Sequence, residues 1–137
     1  MPQAEGRTYS FLSPDQIQTE ILETFPYSGV PQTIHIETGE FSAVCPFSGL
    51  PDIAQVVIEY IPGDMCVELK SLKYYLLSYR QVGIYQEAVT DKLFCDLSNL
   101  LQPQWLKVVT VYNTRGGIDT TCSFEKAFAK EQGREAV

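Results

Sequence analysis

The hydrophobic period of this chain changes twice, and that double change constrains its fold more than any single motif. Thr33 to Val44 alternates apolar and polar residues, and Ala54-Gln-Val-Val-Ile-Glu-Tyr-Ile61 is a β-branched and aromatic run flanked by prolines, so both read as strands. They pair antiparallel around the turn from Cys45 to Asp52. Pro62-Gly-Asp64 is a second turn, and from Leu69 the period becomes helical: Leu72, Tyr75, Leu76 and Tyr79 recur at spacings of three and four, with Lys70, Lys73 and Tyr74 on another side. Gly83 separates this helix from a second, Tyr85 to Leu101, with Ala88, Leu93, Leu97 and Leu100 or Leu101 as its stripe. After Pro103 the strand period returns in Trp105 to Tyr112 and Ile118 to Phe124, joined by Asn113-Thr-Arg-Gly-Gly117, whose glycines suit the positive φ values of such a turn. The order strand, strand, helix, helix, strand, strand predicts an α+β fold, a four-stranded antiparallel sheet with two helices on one face. Such a sheet has two open edges, and joining subunits edge to edge is one way to cover them.

At 137 residues and 45% hydrophobic, the chain supports one core and one domain. Residues 1–32 read as a lead-in segment with one short amphipathic helix of roughly two or three turns at Ser13 to Glu23. Residues 33–125 form the domain that would carry the chemistry, and residues 126–137 a charged, frayed tail. Ten Lys and Arg against seventeen Asp and Glu give a net charge of −7, which argues against nucleic acid and anionic membrane surfaces as partners. The first residues carry no apolar signal region and no stretch has the apolar length to cross a bilayer, so the expected location is cytoplasmic. Cys45, Cys66, Cys95 and Cys122 include no CxxC pair and His35 is the only histidine, so no metal site is expected. Without a secretory signal the four cysteines read as free thiols, with Cys66, Cys95 and Cys122 taken as packing residues. His35 falls on the polar side of its strand, leaving no Cys–His couple within one chain.

The loop Cys45-Pro-Phe-Ser-Gly-Leu-Pro-Asp52 brings a thiol and a carboxylate together. Judged locally, a buried cysteine before an ordinary turn is the better reading. The chemical alternative is a nucleophile beside a group that supplies a proton.

Three stretches together reverse that balance: this loop, Val67-Glu-Leu-Lys-Ser-Leu-Lys-Tyr-Tyr75 with the following Ser78-Tyr-Arg80, and Thr114-Arg-Gly-Gly117. In order and spacing they resemble the nitrile reductases that convert 7-cyano-7-deazaguanine to its aminomethyl form with NADPH in queuosine biosynthesis. The resemblance runs from about Phe25 to Phe124, and the Glu-x-Lys-x-x-Lys-aromatic string is its most specific part. It implies a tunnelling fold whose units join edge to edge into stacked rings, a decamer among the options, with active sites between subunits. It implies that Cys45 adds to the nitrile carbon as a thioimide, that Asp52 gives a proton to the nitrogen, and that two NADPH complete a four-electron reduction. For Asp52 to be protonated with substrate bound, partial burial or a nearby negative charge is expected to favour its neutral form. The resemblance further implies that Lys70, Lys73, Arg115 and Gly116 contact NADPH, that Glu87 accepts the N–H groups of the base with Gln86 beside it, and that Val67, Glu68 and Leu69 line the substrate. The plainer readings are a solvated helix face for the lysines, a turn for the glycines and a helix-dipole partner for Glu87.

The family usually has His where this chain has Gln86, and Ser is common at Leu69. Gln86 can hydrogen-bond but cannot titrate, so a proton relay through that position is not expected. Two other readings stay open: a related amidinotransferase that adds ammonia to the same nitrile on tRNA, and a ring-forming purine or pterin binding protein without turnover. The acidic charge speaks against tRNA, and the thiol–acid pair against simple binding.

Overall fold

The computed structural model describes residues 3, 5–7 and 9–128. In chain order its strands and α-helices are β1 (Thr24–Pro26), β2 (Ile34–Val44), β3 (Pro51–Ile61), β4 (Met65–Val67), α1 (Leu69–Leu77), α2 (Gln86–Leu101), β5 (Trp105–Tyr112) and β6 (Thr121–Ala127). The four long strands form one antiparallel sheet in the order β2-β3-β5-β6, so β2 and β6 are its edges. Strict alternation decides which face is covered. Asp52, Ala54, Val56, Ile58 and Tyr60 of β3 and Leu106, Val108, Thr110 and Tyr112 of β5 are buried, because successive strand side chains point to opposite faces. Against them lie Leu72 and Tyr75 of α1 and Val89, Leu93, Leu97 and Leu101 of α2. This is the α+β sheet-and-helix architecture that the double change of period predicts.

One irregularity in β2 sets the face to which the end of that strand points. Thr38 pairs with Val56 and Phe41 with Ala54, so β2 advances three residues while β3 advances two, which is a β-bulge. Before it the inward residues of β2 are Ile34, Ile36 and Thr38, partners of Tyr60, Ile58 and Val56; after it they are Phe41 and Ala43, partners of Ala54 and Asp52. The extra residue flips the parity of the strand end.

The structure departs from the expectations in five places. Ser13 to Glu23 is not one helix but two single 3₁₀ turns, Pro14–Gln16 and Thr19–Ile21, interrupted by an extended Ile17. Ser13 spends its hydroxyl on the Asp15 side chain instead of capping the backbone, and the extended break lets both Ile17 and Leu22 reach the core. The chain then runs into β1, which pairs with β4 in a small second sheet that the sequence reading does not contain. Asp52 lies inside β3, not in the turn, because β3 already starts at Pro51. The last strand starts at Thr121 instead of Ile118 and continues to Ala127: Arg115 and Ile118 hydrogen-bond each other's backbone at 3.0 Å in both directions, a closure that keeps residues 118–120 out of β6. Lys126 and Ala127 therefore belong to the sheet, and the remaining tail from residue 129 lies outside the described residues. In α2 the stripe is completed by Val89, Phe94 and Leu101, while Ala88 and Leu100 are only partly buried. Among the described residues, no helix is long and apolar enough to cross a membrane.

Candidate active site

The end of β2 is tied to the entry of α2. Val44 N–H donates to Val82 O at 3.0 Å and Ile84 N–H to Val44 O at 3.1 Å, while Gly83 N–H donates to Leu12 O at 2.9 Å. These bonds set Cys45, the next residue, beside the segment that delivers Gln86 and Glu87. Gly83 is required there because the Phe11 ring occupies the space a Cβ would need.

Residues 45–50 close on themselves through Cys45 N–H to Leu50 O at 2.9 Å and Gly49 N–H to Cys45 O at 2.8 Å. Gly49 has φ 72° and its missing Cβ leaves room for the Tyr9 carbonyl, whose residue also donates N–H to Ser48 O at 2.9 Å. The N-terminal segment thus braces the loop. Inside it, the backbone N–H groups of Ser48 and Phe47 point at the thiol and hold its pKa below the usual value, helped by the Ser48 hydroxyl and the Arg115 charge and opposed by partial burial. The Phe47 N–H lies 3.5 Å from Sγ. A thiol cradled by amide N–H groups and partly open to solvent ionises more readily than a free one. Cys95, by contrast, is exposed on α2, contrary to the packing role expected of it, and burial and Asp91 push its thiol up. Cys66 is buried and Cys122 half-buried.

Ala43 is the cross-strand partner of Asp52, and Cys45 follows two residues later, just past the end of β2. Thiol and carboxylate are linked through one cation: the Arg115 guanidinium that pairs with Asp52 also acts on the Cys45 thiol. Asp52 is 4% exposed and is ion-paired with Arg115 Nη1. The expectation named burial or negative charge around Asp52; the structure supplies the burial, together with a positive partner. Arg115 sits on the β5–β6 turn, where Gly116 and Gly117 take φ values of 59° and 76°, and its side chain is 44% exposed.

Glu87 stands in the first turn of α2, where the helix dipole favours its charge, and Gln86 opens the helix. That helix start is pinned to β5 by Thr90 and Thr110, both buried, whose hydroxyls meet at 2.7 Å. Cys45, Asp52, Arg115 and the Gln86–Glu87 pair are thereby gathered at one end of the sheet. The sequence reading missed the residues that hold this end together: Tyr9, Phe11, Ser48, Thr90, Thr110 and Tyr112. Only the Thr90 and Thr110 positions carry a signal, as polar residues on otherwise apolar faces.

Val67, Glu68, Leu69, Lys70 and Lys73 are not at that end. Leu69 starts α1, whose nine residues span about 13 Å, and its far end leads to Val82 beside Val44. Val67 N–H is used on Tyr60 Oη at 3.1 Å, and Glu68 N–H on Glu23 O at 2.9 Å. The Glu68 carboxylate caps α1, accepting from Lys70 N–H at 2.9 Å and Ser71 N–H at 2.7 Å, and these bonds hold its pKa down. Leu69 and Lys73 instead line a groove of about 280 Å³ between α1 and β2, floored by Phe41, Leu72 and Leu76 and flanked by Arg80 and Glu40. Lys70 is exposed beside it. Among the described residues no cluster of His, Cys, Asp or Glu is arranged to hold a metal ion.

Sheet, helices and site together define a tunnelling-fold domain with a thiol, a buried carboxylate and a guanidinium at one sheet end. A family model described as QueF-like protein matches residues 51–131. The NADPH-dependent 7-cyano-7-deazaguanine reductase of Thermotoga petrophila is 53% identical over 134 residues, 97% of this chain and 98% of that protein. The protein of the same name from Caldicellulosiruptor bescii is 47% identical over 85% of this chain and 90% of its own. In structure, the chain is similar to the archaeosine synthase QueF-Like in its apo form, with a TM-score of 0.67 at 24% identity over 74% of this chain and all of that one. The chain belongs to the QueF family.

Proposed function

We infer that this chain reduces the nitrile of 7-cyano-7-deazaguanine to the aminomethyl group with two NADPH, in the cytoplasm, through a thioimide on Cys45. The observation that carries the reading is Arg115 joining a lowered Cys45 thiol and a buried Asp52 carboxylate, in a chain 53% identical to a reductase of that name. A nitrile carbon is a weak hydride acceptor until a soft nucleophile adds to it. Cys45 Sγ forms the C–S bond while Asp52 takes up the thiol's proton and hands it to the nitrogen, giving a neutral C=N centre and leaving Asp52 ionised again. The later breaking of that C–S bond returns the thiol. NADPH supplies the hydrides for this four-electron change. The donor set fits such a group: the groove has an apolar floor for a ring and the Lys73 and Arg80 cations for phosphate, with Lys70 adjacent. Arg115 Nη1 serves Asp52, and the guanidinium carries further N–H groups for a phosphate near the Gly116 backbone. Glu87 would accept the N–H edge of the base, with Gln86 beside it.

The separation of Val67–Leu69, Lys70 and Lys73 from Cys45 within one chain supports a second copy as the source of that half of the site. The outer edges of β2 and β6, open among the described residues except where Val44 meets Val82 and Ile84, supply the means, pairing between copies into stacked rings.

Purified protein incubated with 7-cyano-7-deazaguanine, with and without NADPH, and followed by intact mass and nicotinamide absorbance tests the reading. About two NADPH oxidised per product is required, and Asp52→Asn should slow turnover about 10²-fold or more. An adduct with no NADPH oxidation would sink the reductase reading, and turnover by Cys45→Ala the covalent one. A monomer in sedimentation velocity would remove the shared site.

A further inference from the structure

Tyr112 closes β5 immediately before the Arg115 turn. Its cross-strand partner is Ala54, and one inward step further along β3 stands Asp52. The residue is 4% exposed, yet its Oη is the one buried side-chain polar atom without a hydrogen-bond partner among the described residues. Thr110, the nearest hydroxyl on the same strand, is committed to Thr90. Burial first, then the charges of Asp52 and Cys122, raise the Tyr112 pKa; the Thr110 hydroxyl, near enough to interact but outside hydrogen-bond geometry, lowers it, and Glu87 raises it. The phenol therefore sits within the fields of both carboxylates assigned to the substrate, Asp52 and Glu87, and stays a neutral O–H donor at every working pH.

A buried hydroxyl without a partner costs stability, and the fold gains nothing from it that phenylalanine would not supply. Such a donor is explained if its partner arrives with the ligand. We propose that Tyr112 is a further substrate-positioning residue, whose Oη donates a hydrogen bond to a ring acceptor of the bound deazapurine, between the Glu87 and Asp52 contacts. Glu87 can only accept while ionised, so it reads the donor edge of the heterocycle; Tyr112 adds the fixed donor that an acceptor on the same heterocycle requires. This rests on the reading of the site as a 7-cyano-7-deazaguanine site.

The test separates the two ideas. In a Cys45→Ala background, which blocks the adduct, 7-cyano-7-deazaguanine is titrated calorimetrically into the protein with and without Tyr112→Phe, and both are melted without ligand. The expected result is about tenfold weaker binding for Tyr112→Phe, the loss of one neutral hydrogen bond, together with an unchanged or higher melting temperature. Unchanged affinity overturns the proposal while the site reading stands. A lower melting temperature also overturns it, since the hydroxyl would then have its partner within the fold. No binding by Cys45→Ala itself would overturn the deazaguanine site, and this proposal with it.

Discussion

Replacing Thr110 by valine tests how the start of α2, with Gln86 and Glu87, is held against β5. The Thr110 and Thr90 hydroxyls are 2.7 Å apart and only 0% and 5% exposed, so neither can turn to water when the other is lost. Valine keeps the shape, and the change therefore isolates the hydrogen bond. Leaving the Thr90 hydroxyl buried without its partner costs about 1–3 kcal/mol, less whatever Thr90 recovers by bonding back to a carbonyl in its own helix. For a domain of this size that corresponds to a melting shift of roughly 3–9 °C. The Thr90→Val, Thr110→Val double variant removes both polar groups and should lie within about 0.5 kcal/mol of the parent. Urea unfolding of the parent, both single variants and the double, at one protein concentration because association adds to apparent stability, gives a coupling energy of about 1 kcal/mol or more. Additive losses, with the double variant as unstable as the two singles summed, would refute the account.

Two more outcomes are expected at the site. Because amide N–H groups lower the Cys45 thiol while burial and Asp91 raise Cys95, iodoacetamide should label Cys45 first at neutral pH, with a rate that rises with pH to a plateau at a pH below that of a free thiol; peptide mass spectrometry showing Cys95 labelled first would contradict it. Gly49→Ala should lower the melting temperature by several degrees and slow Cys45 labelling, because a Cβ at φ 72° meets the Tyr9 carbonyl and an L-residue there costs about 1–2 kcal/mol before any clash; unchanged melting and labelling would show that the N-terminal segment does not brace the loop.

The strands and helices were legible because their signals are local. β-branched alternation at residues 54–61 and three-and-four spacing from Leu72 to Tyr79 survive any tertiary arrangement that buries one face. Gly116 and Gly117 were legible for the same reason, since positive φ is a property of single residues. The site was legible only as motifs. Cys45, Asp52, Glu87 and Arg115 do gather at one end of the sheet, whereas Glu68 and its neighbours stand at the other end of α1, and the Glu68 carboxylate is spent on a helix cap. The 3₁₀ turns at Pro14–Gln16 and Thr19–Ile21 were misread because amphipathic spacing over so short a segment cannot outweigh the demands of two core contacts and a β1–β4 pairing.

By itself the sequence determined the α+β order of elements, the residues that can do chemistry and the family they resemble, all of which depend on neighbours along the chain. Tertiary structure alone decided how those residues are brought together. The extra residue of β2 between Thr38 and Phe41 inverts the strand's parity, and with period two a single residue moves every later side chain across the sheet. That inversion puts Phe41 and Ala43, which lead into Cys45, on the face of Asp52. Nothing in the local pattern from Thr33 to Val44 fixes it, because a bulge is defined only against the strand it pairs with.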